Sequence, residues 1–499
     1  MEQEMKRKLL VLGFDGATFD LIEPFRKKGV LPNFTRIMEG GAWAPLISVI
    51  PPVSAPAWVS ISTGKNPGKH NIYGFTDGRG NIVNSTFRKA KAIWNLLDEQ
   101  RKKSIIINIP VTYPPETING AIYPGILDPD EKVYHGRFQI DKEALMERKK
   151  ALEKTFQWEF KKTEKALRYM KEQEWDFFFI LYFLSDFVPT IYWKYMDPNH
   201  PQHIHDPDLS QAIEKSYTVL DEILGRFLSL MDEQTDLVVI SDHGIGPSKK
   251  VLNINEWLRQ NGFLTLKMEQ YEKALSPEKV ARFLENHKIV GKLVMVFPDS
   301  LLKGAYRLVF KRSRNLQSRM RGDTMAYAHS HAHFATIWLP QKNDEILNDL
   351  EMKIKELKDP ETGERIITRI YRREELFHGP FANNGPDLVL EALPHYSMRS
   401  QRIGNLFAEP IQSGDHRMNG IFIAHGPHVK KGTLQEISIF DACPTFLTLL
   451  GLPVPQDMDG RTLTEFVGAV QKTKASDTER DLQQEFYSKK EEEKIKKRL

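Results

Sequence analysis

Short apolar runs alternate along this chain with longer stretches in which apolar residues recur at helical spacing. The runs near 8–14, 104–109, 176–183, 236–241, 334–339, 387–391 and 419–424 have the length of strands. Several are apolar throughout, as in Leu9-Leu10-Val11-Leu12 and Leu237-Val238-Val239-Ile240, which is the pattern of a strand covered on both faces. Between them, 141–173 is highly charged and helix-like, and 208–231 repeats Ile213, Tyr217, Leu220, Ile223, Leu224 and Phe227 along one helical face. Strands separated by covering helices predict an α/β fold, with a mainly parallel central sheet flanked by helices. From about 255 to 325 the alternation lapses. That stretch reads as an insertion or cap, and its basic amphipathic part, 290–314, reads as a packed helix whose alternatives are a membrane surface or the cover of a substrate cleft. The chain divides into one domain over 1–465 and a charge-dense tail over 466–499, expected to be a solvated helix or disordered.

Composition narrows the function classes. With 499 residues, 40% of them hydrophobic, the chain can bury a large core. Lys plus Arg number 70 against 66 for Asp plus Glu, and the net charge of +4 is too small to mark a nucleic-acid binder, so no stable nucleic-acid partner is expected. The single Cys443 excludes an internal disulfide framework and a cysteine-rich zinc site. No run approaches the roughly 18 apolar residues of a membrane-spanning helix. The run from Lys8 to Phe14 is short and ends in Asp15 without a small-residue cleavage site, so it reads as a first strand and not a signal peptide. A cytoplasmic location is expected.

The chemistry gathers where strands end. Asp236-Leu237-Val238-Val239-Ile240-Ser241-Asp242-His243-Gly244 delivers two metal-type side chains at the carboxyl end of an apolar run, the edge at which parallel α/β sheets bind ligands. The first strand ends in Asp15-Gly16, the run 177–184 is followed by Ser185-Asp186, and His416 precedes the apolar Ile421-Phe422-Ile423-Ala424. Each alone reads equally well as a turn or capping residue. As a set, Asp15, Asp186, Asp242, His243 and His416 offer oxygen and nitrogen ligands suited to zinc, manganese or magnesium. Ser54, two residues before Pro56, is either the cap of a helix or a nucleophile at its positive end.

In order along the chain, Asp15-Gly16, Leu31-Pro32-Asn33-Phe34, Pro52-Val53-Ser54-Ala55-Pro56, Ser62-Thr63-Gly64-Lys65-Asn66-Pro67-Gly68-Lys69-His70, Ser241-Asp242-His243-Gly244 and His416 with Gly420-Ile421-Phe422 resemble the alkaline phosphatase superfamily, and within it the type I phosphodiesterase/nucleotide pyrophosphatase family. The resemblance implies two divalent metal ions, usually zinc, flanking the nucleophile. It places Asp15, Ser54, Asp242 and His243 on one metal and Asp186 and His416 on the other, with attack by Ser54 on phosphorus, a phosphoserine intermediate and its hydrolysis. The implied substrate is a small-molecule phosphate ester, a phosphodiester or nucleotide pyrophosphate ahead of a monoester.

Two positions depart from the family pattern. Four residues after Asp186, where the family carries a histidine, stands Thr190, a poor zinc ligand, so the second site is expected to be weakened, filled by a harder ion, or empty. His200, His203 and His205, or His329, His331 and His333, are conceivable substitutes. Three residues after the nucleophile, where relatives often carry asparagine, stands Ala57, which leaves phosphoryl contacts to the Ser54 or Ala55 amide, Lys65 or His70, with Trp58 either stacking on a base or filling the core. The sulfatase alternative is disfavoured because Trp58 occupies the arginine position of its motif. A degenerate, metal-poor member that binds a phosphorylated ligand or partner without turnover is the rival expectation, and a phosphotransferase or mutase a third.

Overall fold

The computed structural model describes residues 7–78, 80–125, 145–266, 320–400 and 404–467. The segment 290–314 and all but the first two residues of the tail lie outside the described residues.

The apolar runs build a nine-stranded sheet. Its labelled strands are β1 (Lys8–Phe14), β2 (Ala42–Ile47), β3 (Ser104–Ile107), β4 (Gly120–Tyr123), β5 (Phe177–Tyr182), β6 (Thr235–Ile240) and β9 (Asn419–His425). They lie in the order β2-β9-β6-β1-β5-β3-β4, and the short strands Gly432–Thr433 and Ile437–Ser438 pair with the outer edge of β2. From β6 through β4 every pairing is parallel, and β9 runs antiparallel to both β6 and β2. The register sets Val11 of β1 beside Phe179 and Val238.

Side chains of alternate parity feed two cores, which is why the central strands lack alternation. On one face Leu10, Leu12, Phe178 and Ile180 pack with Tyr217, Leu220, Leu224 and Phe227 of the helix Ala212–Leu228. On the other, Leu9, Val11, Phe177 and Phe179 meet Ala57, Trp58 and Ile61 of α1 (Ser54–Thr63). Every residue of α1 is buried, and Ser62 and Thr63 donate to the carbonyls of Trp58 and Val59, so their hydroxyls are satisfied inside the helix.

Two features were not anticipated by the run pattern. β2 carries Pro45, which cannot donate to a ladder. It is tolerated because the outer neighbours pair only with residues 42–43 and 46–47, leaving the proline between them. The runs near 334–339 and 387–391 belong to a separate antiparallel sheet, in the order Ile367–Arg372, Leu388–Ala392, Phe334–Trp338, Tyr327–His331, with its own core. A further pair, β7 (Gly244–Pro247) and β8 (Gly414–Arg417), continues past the carboxyl end of β6 and sets His416 opposite Ile245.

A Cβ added at Gly13 would lie 2.7 Å from Leu181 Cδ1 and 2.8 Å from Trp58 Cη2, closer than real Cβ contacts. Gly13→Ala should therefore cost about 1–3 kcal/mol through overpacking, read as a lower midpoint in urea unfolding. An unchanged midpoint would contradict this packing.

Candidate metal centre

Each parallel strand ends at one edge of the sheet, and there the candidate side chains converge. Asp15 follows β1 directly, and Asp242 and His243 follow β6. Asp186 lies in the first turn of α3 (Leu184–Met196), the helix leaving β5, with α2 defined as Leu145–Glu172. His416 comes from β8, whose pairing with β7 stacks its ring on that of His243, with centroids 3.7 Å apart and planes at 18°.

Ser54 is the first residue of α1 and not its cap. Val53 occupies the cap position and offers no side-chain bond, and the Ser54 hydroxyl instead lies 3.3 Å from His243 Nε2. The cap reading is thus displaced, and the first turn of this buried helix has no capping side chain.

The hydrogen bonds decide which imidazole nitrogens are available. His243 Nδ1 faces the Gly244 carbonyl at 3.0 Å, and His416 Nδ1 faces the Pro52 carbonyl at 2.9 Å. A carbonyl can only accept, so both Nδ1 atoms carry a proton, and in a neutral ring, as burial keeps His243, the Nε2 atom then presents its lone pair. Both Nε2 atoms face carboxylate oxygens: His243 Nε2 is 3.3 Å from Asp242 Oδ2 and 3.5 Å from Asp15 Oδ1, and His416 Nε2 is 3.5 Å from Asp186 Oδ1. A lone pair facing a carboxylate is repulsive unless a proton or a metal cation lies between them. Asp242 Oδ2 and Asp186 Oδ1 are moreover buried with no hydrogen-bond partner. The ligand atoms form two compact groups, Asp15 with Asp242 and His243, and Asp186 with His243 and His416, each within 4.8 Å. Oxygen and nitrogen donors so placed fit a divalent cation.

The electrostatics agree. Burial holds Asp15 well above the usual carboxylate range, with the charges of Asp242 and Asp186 adding to it. Burial also pushes Asp242 up to about 7 and raises Asp186, whereas His243 is driven well below the usual imidazole range by burial and then by His416. A divalent cation among these groups would reverse the carboxylate shifts.

Second contacts fix the ligands in place, and the sequence offered no direct signal for most of them. Trp58, fully buried, donates from its indole to Asp15 Oδ2 at 2.8 Å, one turn beyond Ser54 on α1. Ser185 donates to the Asp15 carbonyl, Ser241 to the Ala17 carbonyl and Ser48 to the Asp242 carbonyl. Gly16, at φ +71°, donates its amide to Asp242 Oδ1, and a Cβ there would lie 3.0 Å from Asp186 Cβ. Asp415, buried and held by Ser397 and Arg399, accepts the His416 amide. The serines lie beside ligand residues at strand ends, which is the one pattern that could have flagged them.

The remaining candidates lie differently. Lys65 pairs with Asp457. His70 is buried with both ring nitrogens engaged, Nδ1 accepting from the Ile72 amide and Nε2 meeting Ser60 Oγ at 3.0 Å. Trp58 reaches the centre through Asp15, with its ring in the core. Thr190 hydrogen-bonds Asp186. Of the substitute histidines, His200 bonds the Ser248 carbonyl and the Gln202 amide, and His203 and His205 are exposed. His329 and His331 share a face of their strand, and His333 falls in the turn beyond it, so the three do not share one face. None joins the two ligand groups.

Two outcomes follow from this geometry. Trp58→Phe keeps the packed ring but removes the Asp15 bond, and should weaken metal affinity roughly 10- to 100-fold in a metal titration, with little change in fold. Unchanged affinity would show that Asp15 needs no such support. In chelator-treated protein, raised carboxylate pKa values mean that the folded state binds more protons than the unfolded one, so stability should fall as pH rises from about 4, where the unfolded carboxylate ionises, to the Asp242 value of about 7, and level off above it. Metal-loaded protein should lack that decline in thermal melting, and parallel curves would count against the cluster as a cation site.

Comparison with known proteins agrees with this architecture. The family described as type I phosphodiesterase/nucleotide pyrophosphatase matches residues 9–420. A search of curated proteins finds no match. Among solved structures, murine ectonucleotide pyrophosphatase/phosphodiesterase 5 is similar at 17% identity and TM-score 0.51, covering 89% of this chain and 95% of that one. An inactive form of the murine protein in complex with AMP is similar at 16% identity and TM-score 0.53, covering 93% and 99%. The human protein is similar at 15% identity and TM-score 0.53, covering 93% and 99%. These similarities carry the fold, and the family match over most of the sequence carries the assignment: the chain belongs to the type I phosphodiesterase/nucleotide pyrophosphatase family of hydrolases.

Proposed function

We propose that this protein hydrolyses a phosphodiester or nucleotide pyrophosphate bond through a phosphoserine formed at Ser54, with two divalent cations, zinc by the donor set, held by Asp15, Asp242 and His243 and by Asp186 and His416. The observation that carries this reading is the position of Ser54 Oγ, 3.3 Å from His243 Nε2, a member of both ligand groups, in a cluster with two partnerless carboxylate oxygens. Bound divalent cations would lower the hydroxyl pKa and stabilise the charge that develops on the phosphoryl oxygens. The chain's own groups do the rest. The amino end of α1 favours the phosphoryl charge, and its uncapped amides supply donors in place of the asparagine replaced by Ala57. Trp58 and Gly16 keep Asp15 and Asp242 turned inward. The nucleotide class of substrate is supported by the AMP complex of the similar murine protein.

The domain over 1–465 is read as one catalytic unit with its insertion near 255–325. Among the described residues no helix is long and apolar enough to cross a membrane. A single buried Cys443 suits a reducing compartment, and the location is read as cytoplasmic.

Ser54→Ala should abolish hydrolysis of bis-p-nitrophenyl phosphate while retaining bound metal by elemental analysis. Metal content below one equivalent together with no hydrolysis by the unsubstituted protein would favour the degenerate reading, and activity that survives the substitution would refute Ser54 as the nucleophile. Asp242→Asn should lose the first metal and lower turnover by several orders of magnitude. Thr190→His should tighten the second metal in a titration. An unchanged affinity there would mean that the hydroxyl bonded to Asp186 leaves no open coordination position.

A further inference from the structure

The metal centre is open on one side. Asp15, Asp242 and His243 are at most 1% exposed and Ser54 is 7% exposed, whereas the His416 side chain is 25% exposed. Solvent therefore reaches the centre past His416, and the second, antiparallel sheet borders that side. The turn after its strand Tyr327–His331 touches β8, where the His333 ring hydrogen-bonds the His416 backbone.

Register decides which side chain of that strand meets the opening. Phe334 packs with Tyr73, and Ile50 and Met418 lie against the same cluster, so its face of the sheet is turned toward the segments that carry Ser54 and His416. His331 is the cross-strand partner of Phe334 and stands on that face. Its ring lies close enough to His416 to feel the charge of that imidazole. Gly74 leaves space beside it, since even a Cβ at 74 would stay 3.6 Å from His331 Cε1. Neither ring nitrogen of His331 has a hydrogen-bond partner among the described residues, and neither is sealed from solvent. Burial, with His329 and His416 adding to it, drives the pKa down to about 3, so at pH 7 the ring is neutral and keeps one N–H to donate. Lys65 and His70, by contrast, have their polar atoms engaged elsewhere.

On the reading of Ser54 as the nucleophile, we infer that His331 is a further catalytic residue, whose ring N–H donates a hydrogen bond to the leaving oxygen of the phosphate ester. An in-line displacement puts the leaving oxygen opposite the attacking one. Ser54 lies at the closed end of the centre, so the leaving oxygen points to the open side, past His416, where His331 stands. As the ester bond breaks, its electron pair stays on that oxygen, and a donor already in place strengthens its hold as the charge grows. The ring keeps its proton throughout. The bond is one of hydrogen donation, and the departing group is free to take its proton from water.

Steady-state hydrolysis by the full-length, metal-loaded protein tests this, with bis-p-nitrophenyl phosphate and diphenyl phosphate as the two substrates. His331→Leu fills similar space without a donor, and should lower kcat/KM for bis-p-nitrophenyl phosphate roughly tenfold or more while metal content by elemental analysis stays the same. For diphenyl phosphate, whose poorer leaving group gathers more charge on the departing oxygen, the loss should be at least about threefold larger. His331→Gln keeps an N–H donor and should lower kcat/KM by no more than about threefold. A His331→Leu protein as fast as the unsubstituted one, equal losses on the two substrates, a glutamine no better than leucine, or a loss explained by missing metal would each overturn the inference. Hydrolysis that needs Ser54 but is indifferent to His331 would sink the role of His331 alone. Absence of hydrolysis in the unsubstituted protein, or hydrolysis that survives Ser54→Ala, would overturn the catalytic reading and the role of His331 with it.

Discussion

The centre is organised by a single electrostatic constraint: three carboxylates and two imidazole rings are brought together at the end of the sheet with more negative charge than the neighbouring side chains balance. Asp15, Asp242 and Asp186 have their charged forms opposed by burial, and His243, driven well below the usual imidazole range by burial, stays neutral with its one proton on Nδ1 facing a carbonyl and so cannot relieve them as an Nε2 donor. Such a cluster destabilises a folded protein unless positive charge is added. The orphaned oxygens of Asp242 and Asp186 mark where that charge belongs.

The fold supplies the rigidity that this repulsion demands. Three ligand-bearing segments leave adjacent parallel strands, so the sheet ladder holds their spacing. The fourth comes from β8, which the β7 pairing locks beside His243. Because α1 packs Trp58 into the core and directs its indole at Asp15, the helix that carries Ser54 also orients Asp15. Close approach sets the local sequence as well, since Gly13 and Gly16 sit where a Cβ would meet Trp58 or Asp186.

Much of the scaffold was legible because burial on both faces leaves a plain mark. The continuous apolar runs at β1, β5 and β6 are the central strands, and the strand-end residues Asp15, Asp242 and His243 stand at the edge that a parallel sheet presents to ligands. β2 was hidden by Pro45, whose tolerance depends on a gap between two short neighbours. The second sheet could not be told from the first, because period and apolarity describe a strand but not its partner. The alternation of His329, His331 and His333 promised one face, and the turn after His331 ended it.

By itself, the sequence determined which side chains could carry charge or donate lone pairs, and on which strand ends they stood, since local periodicity follows from the chain alone. Only the tertiary structure decided that Ser54 starts its helix and faces His243, that His70 and Lys65 spend their polar atoms elsewhere, and that Trp58 serves Asp15. Those outcomes depend on contacts between residues tens to hundreds of positions apart. A hydrogen-bond partner at such separation is set by how sheets and helices pack, which no local pattern encodes.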